Sequence, residues 1–336
     1  MNNSIIFEEK SECGLIYLNK PKVLNALDLE MAELFFEKLN QWQKNINIKR
    51  VLIKGKGRAF CAGGDVKSMF LSSGLSDLKK KFLLKEYKLN FFINQFTKPY
   101  LSIWNGIVMG GGVGLSIYGN ARIATENSKF AMPETAIGFF PDVGSSYFLS
   151  RVKNNFGLYL SLTGNIISAN EMIFLGLATH FCKNSNIEEL ENNYLKNGLI
   201  SPVDKIEKSN SELIDNSNFI EETFHGDIFS IIERLENSNL EFAKKTYRHL
   251  LCRCPMSLAV TAELFKRAKN LTLKECLEME FQLSQKIVYR NDFNNGVKAV
   301  LITKTNKPKW DPVSVNKITY EEINDLFQTH TLKLGL

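Results

Sequence analysis

Short apolar runs alternate with amphipathic stretches along most of the chain, the pattern of helices packed on sheets. The N-terminus carries acids early and enters a strand at once; residues 12–18 read as a strand, followed by a polar turn through Asn19-Lys-Pro21. A helix is predicted from Asp28, a good N-cap, because Met31, Leu34, Phe35, Leu39 and Trp42 recur on one helical face. Residues 50–54 read as a second strand, 55–65 as a loop, and a helix is expected after Asp65. Residues 79–96 form another helical pattern, with Phe82, Leu89, Ile93 and Phe96 in one stripe. Glu86 falls inside that stripe. A carboxylate there is either a snorkelling or locally paired side chain, or a partly buried acid with a raised pKa that faces a site.

Residues 100–104 read as a short buried strand, and Gly114 to Tyr118 as the beginning of a tightly packed helix. Between them the run Gly110-Gly-Gly112 lets a backbone or ligand approach closely, and leaves free N–H groups where a developing negative oxygen is favoured. Strands are expected at 121–125 and 129–132, a helix–turn–strand unit over 163–180, and a polar connector over 184–218 with a helix at 187–197. Helical periods resume from about residue 220; beyond 304 a loop and a short terminal helix are expected.

Composition narrows the classes. With 336 residues, 44% hydrophobic and 23% charged, the chain suits one large or two modest globular domains. No apolar run reaches the ~20 residues that span a bilayer, and no membrane association is expected. The first residues lack a basic or Arg-rich amphipathic presequence, which points to the cytoplasm by default, with the mitochondrial matrix as the alternative. Six cysteines without a C-x-x-C pair suit a reducing compartment, and Cys252-Arg-Cys254 has no companions to complete a zinc set, so no metal is expected. The net charge of +6 comes without a basic block interleaved with aromatics, so no nucleic-acid partner is expected.

The glycines do not fit a nucleotide fingerprint: from Gly110, G-x-G-x-x-G demands glycine where Leu115 stands, and G-x-x-x-x-G-K-[ST] is absent. Neither G-x-S-x-G nor H-E-x-x-H occurs, and with four histidines acid–base work falls to carboxylates. Glu134 and Asp142 each follow a proline and are separated by an almost wholly apolar segment. Such acids have environment-shifted pKa values useful in acid–base or nucleophilic chemistry; helix N-caps are the alternative.

Several ordered motifs then carry a resemblance: Asn19-Lys-Pro-Lys-Val-Leu-Asn-Ala-Leu27, Ala59-Phe-Cys-Ala-Gly-Gly-Asp65, Gly106-Ile-Val-Met-Gly-Gly-Gly-Val-Gly114 and Phe130-Ala-Met-Pro-Glu-Thr-Ala-Ile-Gly-Phe-Phe-Pro-Asp142. Together they resemble the crotonase (enoyl-CoA hydratase/isomerase) superfamily, and within it the branch that hydrolyses 3-hydroxyisobutyryl-CoA. Leu273-Lys-Glu-Cys-Leu-Glu-Met-Glu-Phe-Gln-Leu-Ser284 and Asp292-Phe-Asn-Asn-Gly296 extend the likeness, which runs from about residue 10 to 312.

The resemblance implies an α/β crotonase-like spiral of ββα units over 1–205 and a helical C-terminal region over 206–336. It implies an oxyanion hole from the N–H groups of Gly64 and Gly111, with Glu134 and Asp142 catalytic. Glu86 would contact substrate, and Lys22, Val23 and Leu24 would hold the adenosine part of CoA, the only cofactor-like group and itself part of the substrate. Typical hydratases use a second glutamate where this chain has Gly114, which argues against simple water addition. Departures from the branch at Gly144-Ser-Ser-Tyr147 and at Ser150 before Arg151 leave the acyl pocket open. The implied activity is acyl-CoA thioester hydrolysis in valine breakdown. The rivals are an enoyl-CoA hydratase or isomerase and a non-catalytic CoA- or RNA-binding protein on the same fold. A homo-oligomer is left open.

Overall fold

The computed structural model describes residues 4–72, 77–206, 210–328 and 331–336. The chain divides into two compact units built from interleaved segments: residues 1–65, 88–131 and 166–211 form the first, and 66–87, 132–165 and 212–336 the second. This division crosses the chain five times, where the sequence reading draws a single boundary near 205.

The first unit holds two sheets. Strands β1 (Ile5–Lys10), β2 (Cys13–Leu18), β3 (Arg50–Gly55), β5 (Tyr100–Trp104), β7 (Ala121–Ala124) and β9 (His180–Phe181) form a six-stranded sheet in that order. The β1–β2 pair is antiparallel and every other pair is parallel. Strands β4 (Ala59–Cys61), β6 (Ile107–Met109) and β8 (Lys129–Ala131) form a smaller parallel sheet. Each consecutive pair, β3–β4, β5–β6 and β7–β8, thus delivers one strand to each sheet, which is the repeat of a ββα spiral. Leu15, Leu52, Leu101 and Ala121 lie in register across the large sheet, and with Ile103, Ile123, Leu190 and Tyr194 they make an apolar core.

Helix α1 (Leu29–Lys44) starts where the sequence places it, because the Asp28 carboxylate accepts the Met31 N–H at 2.8 Å. Helices α2 (Val66–Leu71) and α3 (Leu78–Asn94) follow, and the helix Ile187–Asn197 matches its expected span. The connector around it extends into residues 207–209, which lie outside the described residues.

Two expectations differ from the structure. The segment 55–65 contains β4, whose three buried residues are too few to show an alternation. The helix expected from Gly114 instead lies earlier, as the single turn α4 (Gly111–Gly114), and residues 115–118 are turn. Four glycines within 110–114 make a poor helix. The Ser116 hydroxyl also bonds back to the Gly112 and Val113 carbonyls at 3.1 Å each, while receiving the Trp104 indole N–H at 3.0 Å.

The second unit is helical, as the periodicity beyond 220 predicts. The helix Pro255–Ala268 is buried along most of its length, and Leu273–Ile287 begins with a capping box between Thr272 and Glu275. The short terminal helix is Tyr320–Leu326.

Candidate active site

Backbone geometry brings together one group of candidate functional atoms in the first unit. Strands β4 and β6 are parallel neighbours, so the turns at their C-terminal ends, 62–65 and 110–111, emerge side by side. A Cβ placed on Gly63 would lie 3.8 Å from the Gly111 nitrogen. At Gly112 a Cβ would meet the Cys61 carbonyl oxygen at 2.4 Å, so only glycine lets α4 sit this close to β4. The amides of Gly64 and Gly111 have no acceptor among the described residues, while Val113 and Gly114 already bond back to Gly110.

The segment that matches the CoA-holding motif is fastened to the same turn. The Ala62 N–H donates to the Leu24 carbonyl at 3.0 Å, Leu27 N–H to Gly63 at 2.9 Å, and Asp65 N–H to Leu27 at 2.7 Å. Lys22 and Val23 lie in a 3-10 turn, both exposed, and Leu24 adopts a left-handed conformation at its end. Asn25, a residue the sequence reading gave no role, is fully buried beneath this segment. Its amide donates to the Lys56, Ala59 and Phe60 carbonyls at 3.0, 2.8 and 3.1 Å, and its oxygen accepts the Lys20 N–H at 2.8 Å. One side chain thereby binds 19–27 to 56–60; Asn25 stands in one of the motifs that carry the resemblance, and its positive φ is a conformation that asparagine tolerates. Lys56 rests over the Tyr17 ring, and Arg58 is exposed.

Carboxylates form the other group, in the second unit. Glu86, Glu134, Asp142 and Glu280 are all buried, at 2%, 7%, 6% and 0% exposure, and none forms an ion pair with a cation among the described residues. Glu134 opens the 3-10 turn Glu134–Ile137. That turn is fixed by the Cys254 N–H donating to the Thr135 carbonyl at 3.0 Å and by the Thr135 hydroxyl donating to Leu162 at 3.1 Å. It ends at Gly138, where φ is +74° and a Cβ would strike the Asp292 carbonyl at 2.4 Å. Among the described residues the Glu134 Oε2 and Glu86 Oε1 atoms are buried without a hydrogen-bond partner.

Asp142 is not a helix cap. Gly144 occupies the N-cap position of α5 (Ser145–Phe148), and the Asp142 carboxylate instead accepts the Tyr87 hydroxyl at 2.7 Å. Glu134 is not the cap of its turn either, since Pro133 occupies that position.

Electrostatics follow from this burial. Desolvation, then the like charges of Asp142 and Glu134, push Glu86 well above the ordinary carboxylate range. Desolvation and Asp142 push Glu134 up in the same way, against its own backbone N–H, with a smaller upward push from Glu280. Burial raises Asp142 to about 7, against the Tyr87 hydroxyl and its own N–H. Burial raises Glu280 to about 8, opposed by Ser146 and by the Gly144 and Ser146 amides. A carboxyl that ionises near neutrality, next to others that resist ionisation, is equipped for acid–base or nucleophilic work. Tyr87 and Glu280 belong to this group, yet the sequence reading singled out neither; their signal is spatial. Among the described residues no set of three or more His, Cys, Asp or Glu is disposed to hold a metal ion.

The model of the family described as "Enoyl-CoA hydratase/isomerase" matches residues 13–327. The chain belongs to the enoyl-CoA hydratase/isomerase family. Within it, this family member is 40% identical to a protein of Dictyostelium discoideum named "3-hydroxyisobutyryl-CoA hydrolase, mitochondrial", over 96% of this chain and 91% of that one. It is 37% identical to the human protein of the same name, over 97% and 88%. Among solved structures it is similar to a carnitinyl-CoA dehydratase from Mycobacterium thermoresistibile, with a TM-score of 0.93, 33% identity and coverage of 99% and 98%. An enoyl-CoA hydratase from Rhodobacter sphaeroides gives a TM-score of 0.91, 30% identity and 97% coverage of both chains. The crotonase fold expected from the motifs is the fold observed.

Proposed function

We propose that this chain hydrolyses the thioester of 3-hydroxyisobutyryl-CoA to 3-hydroxyisobutyrate and CoA, a step of valine breakdown. The observation that carries the reading is the buried set Glu86, Glu134 and Asp142 combined with Gly114, which offers no carboxylate where a hydratase keeps its second one. The names of the curated relatives support the same substrate.

In this reading the amides of Gly64 and Gly111 receive the thioester oxygen and stabilise the charge that develops on it; a single such donor is worth ~3–4 kcal/mol. Glu134 acts on the carbonyl carbon, either directly to give a mixed anhydride or by taking a proton from the attacking water. The C–S bond breaks and CoA leaves as the thiolate; on the first route water then cleaves the anhydride, releasing 3-hydroxyisobutyrate and freeing Glu134. Asp142, held by Tyr87, orients the 3-hydroxyl or the water, and Glu86 accepts from the acyl group. Lys22, Val23 and Leu24 hold the adenosine end. Lys22 supplies a cation for phosphate, and CoA enters only as part of the substrate. No nucleic acid takes part, and self-association is left to measurement. No helix among the described residues is long and apolar enough to cross a membrane. The relatives are named mitochondrial, which supports the matrix over the cytoplasm.

A second reading, water addition to an enoyl-CoA, draws on the names of the solved structures. One assay separates the two: purified protein with 3-hydroxyisobutyryl-CoA and a thiol reagent, beside crotonyl-CoA followed for loss of its double bond. CoA release that Glu134→Gln lowers by about a thousandfold supports hydrolysis. Hydration of crotonyl-CoA without CoA release overturns it. Single turnover in heavy-oxygen water then distinguishes the routes, since only the anhydride leaves label in Glu134.

A further inference from the structure

We propose that Glu280 is a positioning residue for this reaction: its carboxylate clamps the turn that follows Asp142 and so fixes where the Asp142 side chain points. The inference deepens the hydrolase reading, and its kinetic arm rests on that reading.

Glu280 lies on the helix Leu273–Ile287 and is fully buried. Its Oε2 accepts the Gly144 N–H at 2.6 Å, and its Oε1 accepts both the Ser146 N–H at 2.9 Å and the Ser146 hydroxyl at 2.6 Å. Every donor belongs to one turn, two to four residues beyond Asp142. That turn is strained: Val143, a β-branched residue, has φ +54°, and Gly144 has φ +82°. Such a conformation persists only where its surroundings over-determine it. Within the turn, the Asp142 carbonyl accepts the Ser145 N–H at 2.9 Å, and the Ser145 hydroxyl bonds to Pro141. Neither contact fixes the Gly144 and Ser146 amides. Glu280 does, from a different helix.

Both oxygens of a carboxyl accept, so the two amides can each be received, and the three donors favour the acceptor-only ionised form against the burial that raises its pKa. A glutamine of the same shape would turn an N–H₂ toward one of those N–H groups. A buried carboxylate without a cation is also a poor choice for stability alone, whereas it is a good choice for holding a strained turn. Because both Glu280 oxygens already accept hydrogen bonds, it acts through Asp142 rather than on the substrate.

The test compares the full-length parent with Glu280→Gln and Ser146→Ala, by CoA release from 3-hydroxyisobutyryl-CoA and by amide hydrogen exchange across 142–146. For Glu280→Gln the expected result is a kcat lowered about ten- to a hundredfold with KM within about twofold, as for a misplaced group. Exchange should quicken in 142–146 and stay unchanged in the helix Pro255–Ala268. A Glu280→Gln protein that keeps kcat within about twofold, or whose exchange at 142–146 is unaltered, overturns the proposal. Should Glu280→Gln fail to fold, Ser146→Ala decides. Faster exchange in the turn with a several-fold lower kcat supports the clamp, and parent-like values refute it. If the parent itself releases no CoA, the hydrolase reading fails; the exchange measurement still supports or refutes the clamp.

Discussion

The glycine turns at Gly64 and Gly111 and the acids around Glu134 prepare opposite polarities by different means. In the first unit the proposed functional atoms are backbone N–H groups, set by parallel strands and by glycines that permit close approach. Their partial charge costs less to bury than a full charge, and they hold it at any pH. In the second unit the proposed functional atoms are side-chain carboxylates without cationic partners among the described residues, and their charge is costly and depends on protons. The first group is preorganised by shape, the second by a pKa set through burial. A mutation should therefore damage the first through geometry, while the second should respond to charge and pH.

The sharpest test of that difference is Glu134→Gln. Activity should fall about a thousandfold, yet the folded protein should gain about 1–2 kcal/mol at pH 8. The sign follows from linkage. Burial raises the folded-state pKa of this carboxyl above its unfolded value, so its stability contribution is full below the unfolded pKa and is lost as pH rises through the folded pKa. The gain in thermal midpoint should shrink toward pH 4, and an equal gain at both pH values would break the comparison. Next in size, Gly112→Ala should reduce kcat about a hundredfold by pushing the Gly111 amide off the β4 side, with a loss of about 1–3 kcal/mol in stability by denaturant titration and no change in the pH profile.

The pH profile itself belongs to the acids. With Asp142 raised to about 7, kcat/KM should climb between about pH 6 and 8 as the coupled group loses protons. Tyr87→Phe removes a hydroxyl that lowers the Asp142 pKa, so it should shift this limb upward by about half a unit to one unit and reduce kcat about five- to tenfold. The smallest effect is expected at Lys22→Ala: KM for the CoA substrate rises about two- to fivefold at low salt, less at high salt, and kcat stays the same. A pH-shifted kcat in that variant would contradict the separation of roles.

The two regions also differed in how far they could be read in advance. The turn at Gly110-Gly-Gly112 was legible from its glycines, whose meaning is local, whereas Gly64 was singled out only through the resemblance; the length and place of α4 were not legible, because Ser116 bonds back to it and holds the Trp104 indole. Glu86 was visible as an acid on an apolar stripe, and Glu134 and Asp142 as proline-led carboxylates. Tyr87 was hidden, and although Asn25 and Glu280 stand inside motifs that carry the resemblance, nothing along the chain assigned either a role, because each acts on a segment distant in sequence.

By itself, then, the sequence determined the class of fold, the strand–glycine–helix turns and the three acids whose local context is anomalous, because periodicity and backbone permissiveness act over a few residues. Only the tertiary structure decided that positions 86, 87, 134, 142 and 280 share one dry environment. The physical reason is that desolvation and like-charge repulsion depend on distance in space, and no pattern along the chain encodes which distant carboxylates will be buried together.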